Sequence, residues 1–131
     1  MNARNIVNTL LETDAKYPLQ QIGKFMDVLP THVQKHIMSG MNSSADSSTL
    51  SRSFKTALSP YKRKLSSVGI EFDFFAYLLV AVRNKLRPDL GNDEFGQAIA
   101  GQMDRFTVHI KPVEVERQIT ATDIFGPASL N

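Results

Sequence analysis

The stretch 70–87, IEFDFFAYLLVAVRNKLR, constrains the fold more than any other part of the chain. It is short of the roughly 20 apolar residues that span a bilayer, and it ends among three cations, Arg83, Lys85 and Arg87. Its length and Ala/Leu content predict a buried helix rather than a strand. A short strand over the alternating Ile70–Phe74 is the alternative. Phe75, Leu78, Leu79 and Val82 are the expected anchors of the core. Apolar residues lie nearly all round such a helix, so it must be covered on several sides, by the rest of the chain or by a second subunit. The three cations suit the negative end of the helix dipole, a role that competes with any contact to an anionic ligand.

The chain has 131 residues, enough for a single domain with a true core (1–131). Before the apolar run, residues 3–16 predict an amphipathic helix with Ile6, Val7, Leu10 and Leu11 on one stripe, rather than a signal peptide. The low-complexity run MNSSADSST (41–49) has little to bury and reads as a flexible loop. Leu50, Phe54 and Leu58 sit four apart on a further helix. Ser59-Pro60 then opens another, with Tyr61, Leu65 and Val68 inward and Gly69 as its stop. After the Arg87–Gly91 turn, Asn92 is the expected cap of a helix to about Asp104, lined by Phe95, Ala98, Ile99 and Met103. From Phe106 the pattern changes to a period of two, with Phe106, Val108 and Ile110 facing one way, which predicts a short β element within 106–119. Residues 120–131 read as a tail. The expected fold class is therefore mainly α, a compact multi-helix domain with a small β element near the C-terminus. Within it, 3–40 forms a three-helix unit and 50–119 holds the remaining helices and the β element.

Charge is uneven. The net +2 divides into a neutral 1–49, a +6 segment at 50–87 (eight Lys/Arg against Glu71 and Asp73) and a −4 segment at 88–131 (three Lys/Arg against seven Asp/Glu). A basic middle suits a polyanion; pairing with the acidic end is the plainer reading. The chain has no cysteine, which excludes disulfides, thiolate nucleophiles and Cys-based zinc sites, and fits a cytoplasmic protein.

The segment Leu19–Ile37, LQQIGKFMDVLPTHVQKHI, reads as two short helices joined by a tight turn. Leu19, Ile22, Phe25 and Met26 share one face, and Gly23 beside it permits close approach of another helix. Asp27 ends the first helix, Pro30 opens the second, and Thr31 is the expected N-cap. Val33 and Ile37 face inward, leaving His32, Gln34, Lys35 and His36 outside, with Gly40 as the stop. The pattern resembles the helix-turn-helix of bacterial and phage DNA-binding regulators. It matches at Ile22-Gly23, at Val28 in the turn, at Pro30-Thr31 and at Val33 and Ile37. It departs from the family in having Asp27 where Gly is usual, and a Ser-rich run where a third helix or β-wing often follows. The resemblance implies that the second helix reads base edges in the major groove through Thr31, His32, Gln34 and Lys35. Arg52, Lys55, Lys62, Arg63 and Lys64 would then contact phosphates.

Catalytic patterns are weak. His32 and His36 have the spacing of two metal ligands on a helix, but Val33 stands where a zinc hydrolase needs Glu, and His109 is remote. No phosphate-binding glycine loop or nucleophile elbow occurs. The expectation is a non-enzymatic small regulator without metal or cofactor, acting on double-stranded DNA. The alternative is an interaction or assembly protein, such as a small phage-type structural component. In that case 70–87 and 106–125 would contact a protein partner or a second copy.

Overall fold

In the computed structural model, which describes residues 18–107, 110, 112–113 and 118–120, the chain is mainly helical. It runs through α1 (Pro18–Met26), α2 (Thr31–Met41), α3 (Ser47–Leu58), a 3₁₀ turn (Ser59–Tyr61), α4 (Lys62–Ser67), α5 (Phe72–Leu86), a second 3₁₀ turn (Pro88–Leu90) and α6 (Glu94–Thr107). The helix expected over 3–16 and most of the tail lie outside the described residues.

The apolar run is α5, and the other helices are arranged around it. Phe75, Leu79, Val80 and Val82 are fully buried, with α3 on one side and α6 on another. No second subunit is needed to cover this helix. α3 contributes Leu50, Phe54 and Leu58 at the expected four-residue spacing, and α2 contributes Val33, Ile37 and Met41. Phe25 of α1 meets Phe75 edge-on at 5.6 Å. Burying side chains of this size stabilises the fold by about 1.5–3 kcal/mol each. Gly40 does not end α2; Met41 is the last helical residue, and a Cβ at position 40 would stand 2.6 Å from Phe54 Cε1. The glycine is there so that α2 and α3 can touch. α4 stops as expected at Gly69, whose φ of 94° is open to glycine at little cost, while Ile70 N–H donates back to Leu65 O at 3.0 Å.

The expected β element is not found. Among the described residues there is no strand: Phe106 and Thr107 are the last turn of α6. The helical spacing Ile99, Met103, Phe106 simply continues through the point where the alternation begins. Beyond it, Ile110 and Ile119 are buried in irregular backbone, with Val113 N–H bonded to Leu86 O and Ile119 exchanging two hydrogen bonds with the Asn42 side chain (2.7 and 3.0 Å).

The Ser-rich run is built into the fold. Met41 ends α2, Asp46 caps α3 by accepting Thr49 N–H at 2.7 Å, and Ser47–Thr49 are helical. That bond holds the Asp46 carboxyl below its ordinary pKa. Between them, the carbonyls of Ser43 and Ala45 accept from Arg83 Nη1 at 3.2 and 2.8 Å. Arg83 is fully buried, not a solvated cation at a helix end. Its Nε donates to Asn84 Oδ1, and Asn84 Nδ2 donates to Ser47 Oγ. Asp93, not Asn92, caps α6: one carboxylate oxygen accepts Gly96 N–H, the other Ser47 N–H, both at 2.7 Å. A single carboxylate thus joins the N-termini of α3 and α6, where the dipoles favour an anion. Burial pulls the Arg83 guanidinium below its ordinary pKa, against the attraction of Asp93. Burial pushes the Asp93 carboxyl up, but the bonds from Ser47 and Gly96 and the Arg83 charge hold it below the ordinary value.

Candidate nucleic-acid interface

α1 ends at Met26 and α2 begins at Thr31, so four residues make the turn between them. Thr31 is the first helical residue rather than the N-cap. Pro30 takes the cap position in extended backbone (φ −65°, ψ 157°), with no side-chain cap. The turn is closed by Gln34, whose amide Nε2 donates to Met26 O and to Leu29 O, both at 2.9 Å. These carbonyls belong to the end of α1 and the turn, where Pro30 offers no N–H to Met26 O and a 3.0 Å bond from Leu29 N–H takes its place. Gln34 is therefore half-buried and committed to the turn; the expectation that it stands free for a base edge is corrected. Thr31, His32, Lys35 and His36 are exposed.

The second half of α3 and the following 3₁₀ turn run beside the exposed side of α2. His36 Nε2 is 2.9 Å from Ser53 Oγ, and His32 meets Tyr61 edge-on with ring centroids 6.4 Å apart. Between the helices lies an open groove of about 580 Å³. Val33, Ala57 and Pro60 supply apolar lining, and His32, His36 and Arg52 supply nitrogen. Ser53, Thr56 and Tyr61 add hydroxyls, and the lining contains no carboxylate.

Of the five cations expected on phosphates, Arg52, Lys62, Arg63 and Lys64 are exposed, Arg52 within the groove and the others directly after Tyr61. Lys55 is half-buried and engaged: its Nζ donates to Tyr77 OH and lies 4.2 Å from the centre of that ring. Lys62 and Arg63 lie in the first turn of α4, the end of a helix that repels cations, while Lys64 belongs to its last turn. Among the described residues none of them has a carboxylate partner; the ion pair there is Lys85–Asp104, at 2.8 Å between α5 and α6. The placement of Lys62 and Arg63 does nothing for the helix that carries them.

The polar groove residues His36, Ser53, Thr56 and Tyr61 and the apolar Val33, Ala57 and Pro60 are not among the contacts expected from the sequence. Tyr61 was assigned to an apolar face, and no local spacing links it to His32, 29 positions away. No group of three or more potential metal ligands occurs among the described residues. No single described helix is long and apolar enough to cross a membrane. In comparisons with known proteins, no family model, curated protein or solved structure matches this chain.

Proposed function

We propose that this protein is a small DNA-binding regulator of the helix-turn-helix kind, held to duplex DNA chiefly through phosphates. One observation carries the reading: a groove with three nitrogen-bearing side chains and no carboxylate is followed directly in the chain by three exposed cations, Lys62, Arg63 and Lys64, that have no carboxylate partner among the described residues. Thr31, His32 and Lys35 are the side chains of α2 left to meet base edges. Arg52, Lys62, Arg63 and Lys64 serve the phosphates, because exposed positive charge with no ion pair among the described residues gains most from a polyanion that releases counterions. The assembly reading has less support. The apolar face of α5 is covered within the chain, Phe106, Ile110 and Ile119 are buried, and the exposed large apolar side chain among the described residues is Val68.

The test is binding to random-sequence duplex between 50 and 200 mM salt. Affinity should fall by orders of magnitude over that range. Replacing Lys62, Arg63 and Lys64 together by alanine should lower the log–log salt slope by up to about 3 and weaken all sequences alike. Absence of duplex binding at low salt would end the proposal.

A further inference from the structure

A site for phosphate alone would be polar throughout, and the groove between α2 and α3 is not. Val33, Ala57 and Pro60 give it an apolar floor, and the rings of His32 and Tyr61 stand at one end. Arg52, with the Ser53 and Thr56 hydroxyls, supplies the donors that an anion needs. Ser53 Oγ is fixed by His36 at 2.9 Å, yet a hydroxyl bonded once keeps capacity for a second partner. The groove is open, and its volume of about 580 Å³ gives room for a small organic ligand to lie in it. An aromatic and apolar wall beside an unpaired guanidinium is the arrangement that binds unpaired nucleotides, with the base on a ring and the backbone on the cation.

We infer that this groove takes one unpaired nucleotide unit, its base against the His32 and Tyr61 rings and its phosphate on Arg52, Ser53 and Thr56. The inference rests on the DNA-binding reading and sharpens it: the α4 cations hold the duplex, and the groove holds a nucleotide that has left it, at a frayed end or in an opened stretch. A free nucleotide offers the same chemistry, so the two sources must be separated by experiment.

The full-length ¹⁵N-labelled protein is titrated in parallel with thymidine 5′-monophosphate, thymidine, inorganic phosphate and a single-stranded oligothymidylate. Backbone amide shifts are followed in residues 31–36 and 52–61. The inference expects the monophosphate to shift both segments, and thymidine or phosphate alone to bind at least about tenfold more weakly, since each supplies half the contacts. Tighter binding of the oligomer than of the monophosphate assigns the site to strands; the reverse order assigns it to free nucleotides. Arg52→Gln, at an exposed position, should weaken the monophosphate and leave thymidine unaffected. Tyr61→Ala should weaken the oligomer by about tenfold while Tyr61→Phe retains most of the affinity. Duplex binding at low salt with no groove shifts from monophosphate or oligomer would overturn the inference and leave the proposed function standing. Equal binding of monophosphate and inorganic phosphate would reduce the groove to a simple anion site and also overturn it. Failure of duplex, oligomer and monophosphate alike would remove both readings.

Discussion

The cluster around Arg83 and the groove beside His32 use similar side chains to opposite ends. In the cluster, a cation and a carboxylate are joined through Asn84 and Ser47 with short hydrogen bonds, and Arg83 has no exposed surface. In the groove, Arg52 is exposed, the lining has no carboxylate, and the cations beyond it have none among the described residues. The comparison shows why a segment's net charge is a poor measure of its capacity to bind anions. Of the eight cations in 50–87, Arg83 holds the Ser-rich connection, Lys55 is spent on Tyr77, Lys85 on Asp104, and Arg87 is engaged as well. Arg52 and the α4 triplet are the part of the basic segment that faces outward without such a partner.

The comparison breaks first at Arg83. Arg83→Ala removes the donor to Ser43 and Ala45, strands their carbonyls and opens a cavity, so it should cost about 3–5 kcal/mol in urea denaturation. Arg83→Met also strands the two carbonyls but keeps most of the volume, so it should cost less than alanine by the cavity it avoids. Neither change should alter duplex affinity measured on folded protein. A loss below about 1 kcal/mol in the alanine variant would show that the cluster is not what holds the 41–49 run.

Gly96 tests the same cluster from the α6 side. A Cβ there would stand 2.6 Å from both Asp93 Oδ1 and Ser47 Oγ and 2.8 Å from the Gly91 carbonyl, so Gly96→Ala should destabilise by about 1–3 kcal/mol. Gly101→Ala, in the same helix with nothing within 4 Å, should stabilise by about 0.5–1 kcal/mol through the chain's lost freedom. Opposite signs at two glycines of one helix separate the packing of the cluster from helix propensity.

Two carboxylates at the start of α3 and α6 make this region acid-sensitive. Asp46 and Asp93 ionise more readily folded than unfolded, so their contribution to stability is fully present above the ordinary aspartate value of 3.8. It is lost as pH falls through their lowered values, because the unfolded chain binds the proton first. Asp93→Asn should flatten the fall in denaturation midpoint below about pH 4. An unchanged acid limb would mean that other carboxylates govern it.

Much of the fold was legible in the sequence because its signals were local. The four-residue spacing of Leu50, Phe54 and Leu58, the Ser59-Pro60 break and the Gly69 stop each act within one or two turns. Arg83 was not legible: a cation at the end of an apolar helix looks the same whether it faces water or two carbonyls 38 and 40 residues back. Among the described residues the strand expected from Phe106 is replaced at its start by the last turn of α6, because an apolar residue that opens an alternation can equally close a helical stripe. Gln34 was placed outside by its angular position, yet a long amide can fold back on the turn it borders. The groove was only half visible, since α2 announces His32 and His36 but the partners come from another helix.

The smallest expected stability effect is on the groove side, and its sign is the informative part. If Lys62, Arg63 and Lys64 were a merely solvated helical face, alanine at all three would change stability by no more than about 0.5 kcal/mol in either direction. Their position makes a sharper demand. Lys62 and Arg63 lie at the positive end of α4 with no acidic residue in its first turn, so alanine there relieves repulsion and supplies the best helix former, a gain that outweighs the small favourable contribution of Lys64 in the last turn. The triple variant should therefore be as stable as the parent or slightly more so, with the gain shrinking as salt screens the repulsion. The same protein should bind duplex more weakly. Stability that rises while binding falls is the mark of charges retained for a ligand. A triple variant that loses stability would place these cations with Arg83 among the residues that hold the fold, and the contrast between the two regions would fail.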